Sequence, residues 1–178
     1  MSNQIIKKLT FLLSLFCMAL LFNTSLYAQK SKKSPATQSE GSIHETKILV
    51  EYSQPSAKGR KIWGKLVKYN KIWRTGANEA TKISFDKDVK IEGNLLKAGE
   101  YALFTIPSKT DDWTIIFNTR AKQWGAFNHK EEEDALRVQV KTEDNPHTEQ
   151  LTFEVDEANA KVWIKWGDLK YGFLVEKP

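Results

Sequence analysis

The sequence predicts an all-β fold: a single antiparallel β-sandwich or jelly-roll-like domain with one long structured loop and little helix. Three observations carry this reading. Short runs alternate polar and apolar residues with a period of two, Gly, Pro, Asn and Asp punctuate them, and no segment offers a long apolar face at helical spacing. Runs of this kind with no helical pattern between them pair as hairpins and not as βαβ units.

Residues 1–28 read as a secretory signal peptide. Lys7 and Lys8 precede an apolar run over 9–22 that is broken only by Thr10 and Ser14, and the segment closes on Ala28. The run is short for a bilayer span. Cleavage near Ala28 is therefore expected, with a periplasmic or secreted product and no transmembrane span afterwards. Cys17, the only cysteine of the chain, leaves with the leader, so the body is expected to use neither disulfide nor thiolate chemistry. Losing Lys7 and Lys8 also lowers the formal charge from the +5 of the full chain to +3. A mildly basic exported body gives no reason to expect nucleic acid as a partner.

Residues 29–42, rich in Lys, Ser and Gln, predict a flexible polar linker, with the folded domain over 43–178. Strands are expected at 47–52, 81–85, 89–92, 100–106, 113–118, 135–141, 150–155, 161–166 and 171–176. The stops include Pro55, the Asp86-Lys87-Asp88 turn, Gly93-Asn94 and Pro107. At most a single helical turn is expected, at 62–69 or 130–135.

Between the first two of these strands lie roughly 27 residues with no strand pattern, longer than most connections in a compact domain. They carry Arg60, Trp63, Trp73, Arg74, Asn78 and Glu79 among three glycines, a composition suited to an Ω-like lobe on the end of the sandwich. Together with Trp124 these are the ligand-binding candidates. Guanidinium forks suit a carboxylate or phosphate, Asn78 and Glu79 add an amide and an acceptor nearby, and Trp63 or Trp73 would wall the site. The competing reading, which we take as the expectation, is an internal Arg74–Glu79 or Arg60–Glu pair that stitches the loop down while the indoles fill the core.

At these residues the chain resembles a family. The segment Tyr52-Ser53-x-Pro55, Gly59-Arg60, Ile62-Trp63-Gly64, Leu66-Val67 and Trp73-Arg74-x-Gly76-Ala77-Asn78 with Thr81 carry the likeness first. Ala98-Gly99-x-Tyr101-x-Leu103-Phe104-x-Ile106-Pro107, Trp113, Ile116-Phe117-Asn118 and Trp124-Gly125 continue it. Together they resemble the exported bacterial family called domain of unknown function 2911, common in Bacteroidota, over residues 52 to about 140. The resemblance implies a periplasmic or envelope β-domain of a Gram-negative bacterium and lends no activity and no catalytic residue.

Chemistry must then be read locally. Trp113 and Trp163 lie inside strand runs and are expected in the core, whereas Trp124, beside Gly125 and Phe127, is the exposed ring available for carbohydrate stacking. There is no Gly-x-Ser-x-Gly elbow, Walker loop or His-Glu-x-x-His motif. His44, His129 and His147 are far apart, and the acidic run at 131–134 reads as a solvated turn, not as a calcium loop. No catalytic residue, metal or cofactor is assigned. The expected function is a binding or interaction module for a small anionic or carbohydrate ligand or an envelope component. A hydrolase or lyase on envelope carbohydrate is the alternative. A concave cleft with two carboxylates would favour the enzyme, and an Arg/Trp-lined notch would favour binding.

Overall fold

A computed structural model describes residues 33–110 and 112–178. The expected leader and Cys17 lie outside the described residues. The strands are β1 (Ala36–Ile43), β2 (Thr46–Ser53), β3 (Thr81–Phe85), β4 (Val89–Ile91), β5 (Asn94–Leu96), β6 (Gly99–Ile106), β7 (Trp113–Asn118), β8 (Asp134–Val140), β9 (Thr142–Asp156) and β10 (Lys161–Glu176). They form two antiparallel sheets, one ordered β1-β2-β3-β6-β7-β8 and the other β5-β4-β10-β9. The all-β sandwich expectation holds.

The alternation in the sequence becomes the inside and outside of this sandwich. Ile48, Val50 and Tyr52 of β2, Ile83 and Phe85 of β3, and Tyr101 and Leu103 of β6 meet Val162, Ile164, Trp166, Tyr171 and Phe173 of β10 in one core. The middle of the larger sheet is buried on both faces. On its outer side Ala102, Phe104 and Ile116 form a second, small cluster with Ala80, against which Ile72, Ile106 and Ala126 pack. Two loops, 54–80 and 119–130, supply that cover.

Two local expectations are corrected. Residues 36–42, read from composition as part of a flexible linker, belong to β1, which pairs with β2 from Ala36↔Ser53 to Ile43↔Thr46. A polar segment orders here because its partner strand supplies the backbone hydrogen bonds and Ser39 Oγ donates to the carbonyl of Phe153 in the opposite sheet at 2.8 Å. The connecting turn, His44 and Glu45, has φ of 50° and 65°, the primed-turn geometry that sequence reading expects of Asn-Gly. Second, the separate strands expected at 161–166 and 171–176 are one strand, β10. Register shifts at Lys165/Gly167 and Gly167/Leu169 let it bend. The single helical turn expected at 62–69 or 130–135 forms at Glu131–Glu133, as a 3-10 turn.

The sheets are sewn together along one side. β8 passes into β9 through Lys141 alone. The start of the long loop extends β9, with Leu151 N–H donating to Pro55 O at 3.0 Å and Ala57 N–H to Glu149 O at 2.8 Å. Trp163, on the outer face of the smaller sheet, is buried all the same, because the Lys161 and Lys170 ammonium groups stand 4.5 and 4.3 Å from its ring centroid.

Candidate functional site

The long loop has no regular structure, so its shape depends on turns and anchors. Lys58 and Gly59 turn the chain with φ of 51° and 67°, after which Arg60 Nε donates to Ala57 O at 2.8 Å and a terminal guanidinium nitrogen to Ser56 O at 2.6 Å. Trp63 then enters the core, with its ring centroid 4.6 Å from that of Trp113, 5.9 Å from Trp73 and 6.0 Å from Trp166. Such edge-on and offset contacts are the preferred arrangement of indoles.

Trp73 is pinned from two directions. Its backbone exchanges two 2.8 Å hydrogen bonds with Thr105 of β6, and its Nε1–H donates to Gly76 O at 3.1 Å. Thr75, fully buried with φ of 49°, starts a hydroxyl chain: its Oγ1 lies 2.9 Å from Thr105 Oγ1, which lies 3.2 Å from the Tyr171 hydroxyl. Burial pushes the Tyr171 hydroxyl well above its usual range, so it stays a neutral member of that chain. Thr81 closes the loop by donating to Thr75 O at 2.8 Å.

Arg74 is therefore held between two immobilised residues. Its side chain has no hydrogen-bond or ion-pair partner among the described residues, and its Nε is buried without an acceptor. Desolvation by that burial pulls its pKa below the ordinary arginine range. Arg74 lines a notch of about 560 Å³ with Lys33, Lys58, Arg60, Trp73 and Trp166, and among the described residues no acidic residue lines it. Glu149, close by, is occupied at 2.8 Å by the backbone N–H of Lys58.

The expected stitch is thus corrected: no Arg74–Glu79 or Arg60–Glu pair exists. Asn78 has φ of 59°, and Glu79 forms a β-bridge with Trp124, which directs Glu79 to a different surface from Arg74. Arg60 satisfies loop carbonyls instead of a carboxylate. Of the seven candidates, Arg60, Trp73 and Arg74 come together at the notch. Trp63 lies in the core cluster. Asn78 is a tether, its Nδ2 donating to Ser34 O and Ser53 Oγ at 3.2 Å each. Glu79 lines a second concavity, and Trp124, its β-bridge partner, is exposed beside it. Sequence reading missed Lys33, Lys58 and Trp166 as notch residues. The cluster of lysines near the start of the body was the only signal for the first two, and Trp166 had none beyond the inward phase of its strand.

That second concavity, a groove of about 670 Å³ on the outer face of the larger sheet, is lined by Glu51, Glu79, Lys82, Glu100, Lys122 and Gln123 among others. Lys82 Nζ sits 2.6 Å from Glu51 and 3.1 Å from Glu100. The hydrogen bond to Glu51 is the main cause of a raised Lys82 pKa. The ammonium occupies the space between the two carboxylates that a scissile sugar bond would need.

The acidic run at 131–134 is largely engaged by arginines. Glu131 meets Arg137 at 3.2 Å and Glu133 meets Arg120 at 3.3 Å. Asp134, whose side chain is 5% exposed, accepts from Arg137 at 2.7 Å, from Asn118 Nδ2 at 2.8 Å and from His129 Nε2 at 2.8 Å. Among the described residues no group of three or more His, Cys, Asp and Glu side chains is arranged to hold a metal ion, and no helix is long and apolar enough to cross a membrane.

A family model described as "Protein of unknown function (DUF2911)" matches residues 34–175, beginning beside β1 and reaching the last residues of β10. No curated protein and no solved structure matches the chain.

Proposed function

The chain belongs to that family of unknown function, and from the geometry of its loop lobe we propose that it is an exported binding module that captures a small anion, a carboxylate or a phosphate monoester, in the Arg74 notch. One observation carries the reading: among the described residues, a guanidinium with a buried, unpartnered Nε is fixed between anchored residues at a wall whose charged side chains are all cationic. A desolvated donor left without an acceptor costs about 1–3 kcal/mol, more when charged, and an anion arriving at the notch recovers that loss as binding energy. The planar fork of Arg74 offers two parallel hydrogen bonds to a carboxylate or phosphate, the Trp73 and Trp166 indoles offer an apolar floor, and Lys33 and Lys58 add attraction at the rim.

Hydrolysis of carbohydrate finds less support, since Lys82 separates the carboxylates of the groove. Export rests on the leader pattern of residues 1–28. N-terminal sequencing of the product from its native host should begin at Gln29, and an intact Met1 terminus would contradict it.

Binding is tested by calorimetry with benzoate, phenyl phosphate and neutral benzamide. The anions should bind and benzamide should not, and Arg74→Ala should abolish the difference. Equal binding of benzamide, or anion binding unchanged in Arg74→Ala, would overturn the proposal.

A further inference from the structure

The molecule carries a second feature that the anion notch does not use. Trp124 is 59% exposed and Phe127 is 85% exposed, the two most exposed large apolar side chains described. Exposed rings on a loose loop would mean little, but this loop is braced from beneath. Gln123, itself buried, donates through Nε2 to Asn118 Oδ1 at 3.1 Å and to Arg120 O at 2.8 Å. The Arg120 guanidinium donates to Asn128 O, and Asn118 Nδ2 donates to Lys130 O at 3.2 Å. From the other side, Ala80 N–H donates to Gln123 O at 3.0 Å and Gly125 N–H to Asn78 O at 3.2 Å. Gly125, with φ of 64°, makes the turn between the rings, and a Cβ there would lie 3.0 Å from the Phe127 ring. The fold thus spends several buried polar contacts on holding two aromatic rings in solvent, which is the preorganisation a binding surface needs.

The surroundings identify the class of occupant. Trp124 does not itself line the outer-face groove, but it adjoins it: its neighbour Gln123 and its β-bridge partner Glu79 both do, and paired residues of an antiparallel bridge present their side chains on one face. The groove is polar: Gln38, Glu79 and Lys122 line it with side chains that have no partner among the described residues. Along residues 122–132, which carry the rings, and at the bridge partner Glu79, the exposed charges with no partner among the described residues balance, Lys122 and Lys130 against Glu79 and Glu132. A surface with no net charge does not select an anionic bilayer. A flat apolar ring at the edge of a trough of mixed donors and acceptors fits a molecule with alternating apolar faces and hydroxyl edges.

We propose that Trp124 and the adjoining groove form a binding site for a neutral, β-linked hexopyranose chain, with one sugar ring stacked on the Trp124 indole and its neighbours laid along the groove. All-equatorial pyranoses present the flat C–H face that an indole can cover, and the unpaired Gln38, Glu79 and Lys122 side chains meet the hydroxyls. The site is separate from the anion notch and stands or falls without it.

The test is calorimetric titration of the full chain with cellohexaose, chitohexaose and laminarihexaose. At least one should bind, Trp124→Ala should weaken it by about tenfold, the upper worth of a single aromatic stacking contact, and Trp124→Phe should retain it to within about threefold. The same variants should melt with the wild type, since the ring is exposed, and Arg74→Ala should leave the affinity unchanged. No binding of any of the three glycans, or binding indifferent to Trp124→Ala, overturns the proposal. So does association with phosphatidylcholine vesicles or with a second copy of the chain that is lost in Trp124→Ala while the glycans do not bind.

Discussion

Arg74 and Asp134 are both enclosed, charged side chains, and the fold treats them in opposite ways. Asp134 receives hydrogen bonds from Arg137, Asn118 and His129, and it ties the end of β7 to the start of β8 and to the loop that carries Trp124. Removing it takes one of two acceptors from each of Arg137 and Asn118, which keep Glu131 and Lys130 O, and takes from His129 Nε2 its one partner among the described residues. Asp134→Ala should therefore lower stability by about 3–5 kcal/mol, the usual cost of breaking a buried charged network by deleting one partner, read from urea unfolding. Among the described residues Arg74 has no partner to lose. Arg74→Ala removes the unpartnered donor together with the packing of its alkyl stem, so it should lower stability by no more than about 1 kcal/mol, and Glu79→Ala should add to it without coupling, because the two side chains line different surfaces. A large loss for Arg74→Ala, or a non-additive double mutant, would mean that a partner exists in solution.

At the scale of the element, β10 and the long loop show what sequence can and cannot convey. On β10, a Cβ at Gly172 would sit 2.4 Å from Val162 O and 2.9 Å from the Trp163 ring. Gly172→Ala should cost about 1–3 kcal/mol or more as overpacking, and it should expose Trp163, visible as a change in near-ultraviolet circular dichroism. Unaltered melting would contradict that packing. The alternation of Ile48, Val50 and Tyr52, or of Ile83 and Phe85, was legible because burial on one face has a period of two. β1 was not, because Thr37, Gln38 and Ser39 owe their strand to a partner that lies distant in sequence terms only by one turn, yet whose turn residues, His44 and Glu45, carry no Asn-Gly signal. In the loop, the approach of Arg60, Trp73 and Arg74 was legible as composition. The absence of an Arg74–Glu79 contact was not, since it depends on the left-handed backbone of Asn78 and on the Glu79–Trp124 bridge.

At the scale of the whole molecule, the sandwich separates two concavities of different chemistry. The notch is built by the long loop over the indoles that reach out from the core, and its cationic wall is backed by Trp73 and Trp166. The groove lies on the outer face of the larger sheet, where acids and lysines are mixed. A site of unpaired cations can persist beside an apolar core only because both sheets hold it: Thr105 of β6 and Tyr171 of β10 fix the loop through the Thr75 hydroxyl, and Glu149 and Leu151 of β9 fix its beginning. The central claim is that this rigid lobe holds the Arg74 guanidinium open for an anion. The measurement that reaches it most directly is the ¹H–¹⁵N resonance of Arg74 Nε, assigned by its loss in Arg74→Lys and followed as phenyl phosphate or benzoate is added. The account expects a saturable downfield shift with either anion and none with benzamide. An Arg74 Nε signal that stays in place while the anion binds elsewhere on the chain would contradict it.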